Sequence, residues 1–180
     1  FTRFNYKNSE GQANSNLFSG IGNFYEVGVA IPFTNEHFIY SANLSLNEYD
    51  ATGGNSATTY RWNTQYLGIK GGIEYSFFPY SYNASGDLDF TVDAGLIGQS
   101  IIFGKQEING SYYDLVRNKE FSGIVLGSSV GCQVKYAIPS FGFLSVGYNY
   151  CHSVNISNSS QEKLLFNTHQ IGLGFHFPVN

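Results

Sequence analysis

The residues best suited to covalent chemistry lie near the C-terminal end, in the triplet Cys151-His152-Ser153 and at His169. A thiol or hydroxyl activated by an imidazole base can attack an acyl group, so this set could support acyl transfer or hydrolysis. No acidic residue follows at a position suited to orient either imidazole, and no catalytic motif matches. We therefore predict that the protein is not an enzyme and that these residues are ordinary polar positions.

Other kinds of site are also poorly supported by the residues. No spacing typical of metal ligands and no glycine-rich phosphate loop is visible, so we predict no metal and no cofactor. The net charge is −4 and no basic stripe is present, which argues against nucleic acid as a partner. The 180 residues suit a single domain, 1–180.

The elements that would position any site are strands. Period-two alternation of apolar and polar residues runs through nearly the whole chain, which indicates β structure. Charged residues make up only 12%, about half the share of roughly 25% in a soluble domain. We predict eight strands, at 1–7, 18–33, 37–50, 59–78, 87–104, 120–138, 142–154 and 164–177, the first of them incomplete at its start.

Short and long connections alternate along the chain. Short ones are predicted around 34–36, 79–86 and 139–140, and long polar ones at 8–17, 51–58, 105–119 and 155–163. An antiparallel meander would therefore have tight turns at one end and long loops at the other. This favours an up-and-down arrangement of antiparallel strands.

The two faces of each predicted strand differ in polarity. Strand 25–33, for example, carries Tyr25, Val27, Val29, Ile31 and Phe33 on one face and Glu26, Gly28 and Ala30 on the other. Within the alternating segments, such as 25–33, 38–47 and 66–77, the apolar face carries no charge, whereas the other face is small, polar or charged. A soluble barrel or sandwich would turn the apolar face inward, and a membrane barrel would turn it outward to lipid.

Three features favour the membrane arrangement. The polar face is rich in Gly and Ser, which suits a narrow lumen better than a solvated surface. Aromatic residues gather where the apolar face meets the short turns, as in an interfacial girdle. The strands also exceed the ~9–11 residues that cross a bilayer. The charged residues would then form a lumen network of three cations and four acids, namely Arg3, Glu26, Lys70, Glu74, Asp89, Asp93 and Lys135.

The last strand carries a recognisable pattern. Gln170-x-Gly172-x-x-Phe175-x-Phe177 has the form polar-x-Gly-x-x-apolar-x-aromatic. It resembles the C-terminal assembly signal of bacterial outer-membrane barrels, apart from the three residues that follow the aromatic. In strand number, loop alternation and this signal the chain resembles the small OmpA/OmpX-like outer-membrane β-barrel family.

The resemblance implies an eight-stranded antiparallel up-and-down transmembrane β-barrel in the bacterial outer membrane, inserted by the barrel-assembly machinery. It implies periplasmic termini and extracellular long loops. A chain that starts Phe1-Thr2-Arg3 suggests a removed signal peptide. We expect a non-catalytic structural or binding role, with outer-membrane lipid around the barrel, as an accessory subunit of a larger outer-membrane complex. A lipid-modifying enzyme, a narrow channel and a soluble lipocalin-like barrel remain alternatives.

Two further predictions concern particular side chains. Tyr112, Tyr113, Leu115 and Arg117 in the loop 105–119 are interface-type residues, so this loop is the candidate contact with a protein partner, unless its aromatics pack on the loop itself. Cys132 and Cys151 fall on opposite faces of adjacent predicted strands, which predicts two free thiols.

Overall fold

The computed structural model describes residues 2–7, 17–33, 37–54, 58–78, 88–118, 121–138, 141–156 and 164–177, with backbone only for residues 2–7. Within these ranges the chain is all-β. Its strands are β1 (Thr2–Lys7), β2 (Leu17–Ser19), β3 (Phe24–Pro32), β4 (Phe38–Gly54), β5 (Thr59–Ser76), β6 (Leu88–Ile108), β7 (Ser111–Asp114), β8 (Ile124–Ile138), β9 (Gly142–Asn155) and β10 (Leu165–His176).

The strands form one antiparallel sheet whose order is β1-β10-β9-β8-β6-β5-β4. Both β2 and β3 pair with the remaining edge of β4, and β7 pairs with the end of β6. The sheet curls into an open half-barrel. The predicted all-β antiparallel class is therefore confirmed, whereas the closure of eight strands into a complete barrel is not seen in the described residues.

The connections sort to the two ends of the sheet. The strand ends that flank residues 34–36, 79–87 and 139–140 lie at one end of the sheet, which we call the turn end. The C-terminal ends of β1, β4, β6 and β9 lie at the other, which we call the loop end. This is the alternation that the sequence predicts, and it makes every pairing between consecutive long strands antiparallel.

Two predicted segments differ in detail from the structure. Predicted strand 18–33 is interrupted at residues 20–23, where the N–H of Gly20 donates a 2.5 Å hydrogen bond to the carbonyl of Asp50. Predicted loop 105–119 contains a hairpin, because β6 continues to Ile108 and turns through Asn109 and Gly110 into β7. Both turn residues have positive φ, 49° and 82°, as a two-residue hairpin turn requires.

The sheet has a gap between β3 and β10. Strand β1 pairs with residues 165–170, the half of β10 nearest the loop end. Among the described residues Gly172–His176 pair only with β9, and β3 pairs only with β4. These two edges border a gap that we call the seam. At its loop-side limit the ring of Phe24 lies over Gly172, where an added Cβ would be 2.5 Å from the Phe24 Cζ.

Candidate functional site: the polar interior

The convex face of the sheet is apolar and exposed. Leu173 is 76% exposed and Leu96 is 71% exposed, and Val130 and Phe90 also point away from the interior. The concave side is the reverse. Its buried polar residues are Ser45, Asn47, Thr64, Glu74, Ser76, Asp89, Thr91, Gln99, Ser129, Lys135, Ser145, Ser153, Asn155, Thr168 and Gln170. The polarity is therefore inverted relative to a soluble barrel, which would fill its interior with apolar side chains.

Lys70 of β5 is at the centre of one group of charges. Its Nζ lies 3.9 Å from a carboxylate oxygen of Glu26 on β3 and 3.9 Å from one of Asp93 on β6. The Lys70 side chain is largely removed from solvent, whereas Glu26 is more exposed because it lies beside the seam. One ammonium between two carboxylates links three strands by electrostatic attraction, at distances longer than a hydrogen bond.

A second ion pair lies nearer the turn end. Lys135 of β8 bonds Glu74 of β5 directly, and both side chains are buried. The other Glu74 carboxylate oxygen accepts a 2.6 Å hydrogen bond from Nε2 of Gln133. Because β6 lies between β5 and β8, these bonds cross the interior over an intervening strand. A buried carboxylate needs such partners, since desolvation without them is costly.

The remaining predicted network residues are Asp89 and Arg3. Asp89 is buried and accepts hydrogen bonds from the Ser76 hydroxyl at 2.7 Å and from the Phe78 backbone N–H at 3.1 Å. Arg3 is placed by its backbone, which pairs with His169, a residue whose own side chain is exposed. Five of the seven predicted residues thus form two ion-paired groups, and a sixth is held by hydrogen bonds.

A layer of amide side chains lies between the charges and the loop end. Nε2 of Gln170 donates to Oδ1 of Asn47 at 2.8 Å, and Nδ2 of Asn47 donates to Oε1 of Gln99 at 3.2 Å. Gln99 in turn donates to the Tyr49 hydroxyl at 3.2 Å. These bonds join β10, β4 and β6 across the interior. A chain of satisfied buried amides is rigid, because each member has few alternative partners.

The loop-end part of the interior contains an apolar cluster that the sequence did not reveal. Phe166 is central to it, with its ring stacked 5.1 Å from that of Tyr49 and edge-on to Tyr66 at 5.7 Å. The other buried members are Ala51, Ile101, Leu115, Phe121, Val125 and Leu164, and Trp62 packs against Phe121 at 5.0 Å. Tyr49, Tyr66 and Phe166 have the inward parity of their strands, but alternation alone does not separate the apolar part of the interior from the polar part.

The interior leaves little free space at the level of the charges. A cavity of about 10 Å³ is lined by residues that include Glu26, Lys70, Asn149, Cys151 and Gln170. Such a volume accommodates about one water molecule. At this level the interior holds the charged side chains around a space the size of one water molecule.

The predicted assembly-signal residues divide between the two faces. Gln170 points inward and belongs to the amide layer, whereas Phe175 and Phe177 are exposed on the convex side. Gly172 lies beneath the Phe24 ring at the seam, so its lack of a side chain has a local steric reason. Gln170 and Gly172 therefore have local packing roles in the folded chain.

The predicted partner loop is only partly exposed. Tyr112, Tyr113 and Arg117 are exposed, and Nζ of Lys105 lies 3.7 Å from the centroid of the Tyr112 ring. Leu115 is 1% exposed and packs in the apolar cluster. Leu115 therefore lies inside the fold and offers no surface to a partner, unlike the prediction; its N–H donates to the carbonyl of Gly104 at 3.0 Å, one residue beyond β7. The remaining three residues present an exposed surface on the β6–β7 hairpin.

The residues considered for acyl transfer do not converge. His152 and His169 are exposed on the convex face, where their Nδ1 atoms lie 2.7 Å from Asn167 Oδ1 and Tyr148 Oη respectively. Cys151 and Ser153 are buried on the concave side. The nucleophile and base candidates of the triplet thus lie on opposite faces of β9. Cys132 and Cys151 are both free thiols, as predicted.

No family model, curated protein or solved structure matches the chain. In the described part of the chain, no helix has the length and apolar character needed to cross a membrane. Among the same residues, no three His, Cys, Asp or Glu side chains are grouped so that they could hold a metal ion.

Proposed function

We propose that the chain is an integral outer-membrane β-barrel protein with a non-catalytic structural or binding role and a plugged lumen. The observation that carries this proposal is the inverted polarity, with exposed apolar side chains around a polar, ion-paired interior. An exposed apolar surface of this extent is unfavourable in water, and hydrocarbon is the solvent that favours it.

The outward apolar segments have the length that a bilayer requires. They extend over nine residues from Tyr25 to Phe33, over nine from Phe38 to Leu46 and over eleven from Leu67 to Phe77. A tilted transmembrane strand needs about 9–11 residues. On β4 and β5 the next outward residues toward the loop end are Glu48 and Gln65, which are polar. The segments therefore end where a bilayer of ordinary thickness would end.

Aromatic side chains concentrate where these segments reach the turn end. The rings of Phe38 and Tyr75 lie 5.1 Å apart, and those of Tyr75 and Phe77 are also 5.1 Å apart. Phe141 and Phe177 form a similar pair at 5.2 Å. Aromatic girdles mark the boundary between hydrocarbon and headgroups in transmembrane barrels. This supports the turn end as one membrane boundary, which would be the periplasmic one in an outer membrane.

The interior supports a plug rather than a channel. From the turn end to the loop end, the two ion-paired groups, the amide layer and the apolar cluster follow one another along the concave side. In an eight-stranded barrel, side chains just fill the lumen. We therefore propose that the protein acts through its wall or its loops, as an accessory subunit in an outer-membrane complex, with the exposed Tyr112 and Tyr113 as the first contact to test.

A direct test is extraction of the natural protein from cell envelopes with a mild detergent, followed by identification of co-purifying proteins. We expect the chain in the outer-membrane fraction, with a partner whose recovery falls when Tyr112 and Tyr113 are both replaced by Ser. Recovery of the chain in the soluble fraction without detergent would refute the proposal. Planar-bilayer recordings should show no discrete conductance, because side chains fill the proposed lumen. Steady openings would indicate a channel instead of a plug.

A further inference from the structure

Lys70 is an enclosed cation whose ammonium makes no hydrogen bond within the described residues. Its side chain is only 13% exposed, and its Nζ lies 3.9 Å from carboxylate oxygens of both Glu26 and Asp93. These distances are longer than a hydrogen bond. An ammonium has three N–H donors, and a polar contact of this length is one that a water molecule commonly bridges.

Two buried oxygen atoms lack a partner at the same level of the interior. They are Oγ of Ser129 on β8, a residue that is 3% exposed, and Oδ1 of Asn149 on β9. Neither accepts a hydrogen bond within the described part of the chain, although buried polar atoms nearly always have a partner. Ser129, Asn149 and Lys70 all line the cavity of about 10 Å³. Three unsatisfied groups from three strands therefore converge on one small space.

The amide layer fixes the orientation of the Asn149 side chain. Nε2 of Gln170 donates to Asn47, which leaves Oε1 of Gln170 to accept a hydrogen bond from Nδ2 of Asn149 at 3.3 Å. Turning the Asn149 amide over would place two carbonyl oxygens against each other. Oδ1 of Asn149 is therefore the atom without a partner, and it can only accept.

The chemistry of these groups selects what fits between them. The Lys70 ammonium can only donate and the Asn149 carbonyl oxygen can only accept, so the occupant must both accept and donate. A cation would lie beside the Lys70 ammonium, and an anion would lie beside the Glu26 carboxylate, which also lines the cavity. A space of about 10 Å³ admits one water molecule, which binds where two to four polar partners surround it.

We propose that this cavity is a binding site for one water molecule, which accepts a hydrogen bond from Lys70 and donates to Asn149 and Ser129. The water joins the charge group of Lys70 to the amide layer, because Asn149 already bonds Gln170. Hydrogen bonds then extend from β5 through the water to β8, β9 and β10. The site lies in the interior and does not depend on whether lipid or water covers the convex face.

A crystal structure at a resolution that shows ordered waters tests the site directly. We expect a density peak about 2.7–3.2 Å from Nζ of Lys70, Oγ of Ser129 and Oδ1 of Asn149. No peak at this position would overturn the proposal. Crystals transferred from sodium to rubidium salts test the other small occupant. An anomalous rubidium signal at the peak would identify a cation site and overturn the assignment to water.

Two serine variants test the partners of the water. Ser129→Ala removes one of them and should weaken or abolish the peak. Ser153→Ala is the matched control, because Ser153 is equally buried and its Oγ also lacks a partner among the described residues, but it does not line the cavity. The peak should persist in this variant. An unchanged peak in Ser129→Ala, or an equal loss in Ser153→Ala, would contradict the proposed site.

Nuclear magnetic resonance of the unmodified chain in detergent needs no variant to fold. Rotating-frame cross-relaxation separates a long-lived contact with water from chemical exchange of protons. The Nδ2 protons of Asn149 should show such a contact, since the water lies against the same amide group. Those of Asn63, an exposed amide on β5, serve as the control and should show none. The absence of a long-lived contact at Asn149 would refute the site in solution.

Discussion

Gln170 and Asn47 join strands β10 and β4 across the interior through a 2.8 Å hydrogen bond, although they are far apart in the chain. The bond links the last strand to one of the first without any backbone pairing between them. Because both amides are buried, neither has water as a ready substitute.

We predict that Gln170→Ala destabilises the fold by about 1–3 kcal/mol, because it leaves the Asn47 carbonyl oxygen buried without this donor. Equilibrium unfolding in urea, in detergent micelles, measures the change. The matched control is Asn63→Ala, since Asn63 is an exposed amide on β5. Equal losses for the two variants would contradict the role assigned to the amide layer.

The Lys135–Glu74 pair should behave as a coupled unit. Lys135→Met leaves a buried carboxylate without its cation and should cost about 3–5 kcal/mol. The double variant Lys135→Met/Glu74→Met should be more stable than the single one, because no charge remains to be compensated. A double-mutant cycle measures the coupling, with exposed Lys105→Met as the control. Additive losses would show that the two side chains do not depend on each other.

A charge placed at Leu173 tests whether the convex face contacts lipid or water. Leu173→Arg should cost about 2–4 kcal/mol when the chain folds into lipid vesicles, because the guanidinium enters hydrocarbon. Tyr112→Arg, on the hairpin beyond the apolar segments, should have little effect on the same folding equilibrium. If Leu173→Arg is also neutral, the convex face contacts water and not lipid.

Phe166 should be the most sensitive aromatic position. Phe166→Ala should cost about 3–5 kcal/mol, because it leaves a cavity between Tyr49 and Tyr66. The fluorescence of Trp62, the only tryptophan, can follow unfolding, since Trp62 packs on the same cluster. Phe175→Ala, an exposed aromatic of the same strand, should cause a clearly smaller loss in detergent. The reverse order would place the stabilising packing on the convex face.

Much of the fold could be predicted from alternation, but the side chains that pack together in each part of the interior could not. Parity assigned Val130 and Leu173 to one face and Lys135 and Asp93 to the other, as the structure has them. Parity does not tell where along a strand the interior changes from polar to apolar. Alternation places Tyr66 on the same face as Gly68 and Lys70, although its ring packs in the apolar cluster.

The loop 105–119 shows a second limit of prediction from the sequence. Its polar composition predicted an irregular connection, whereas Asn109-Gly110 forms the turn of a hairpin that prolongs β6. The dipeptide is itself a strong hairpin signal, so this feature was available in the sequence. The inward position of Leu115 depends on where that hairpin ends, which composition does not determine. The ion pairs of Lys70 likewise could not be predicted without the register between neighbouring strands, because they join β5 to β3 and to β6.

The apolar cluster at the loop end makes that part of the molecule a small folded unit with its own packing, distinct from the charged layers nearer the turn end. Its stability does not require the lipid that the rest of the wall would contact. We expect the connections attached to it to tolerate sequence exchange, because the buried side chains of the cluster hold the strand ends together.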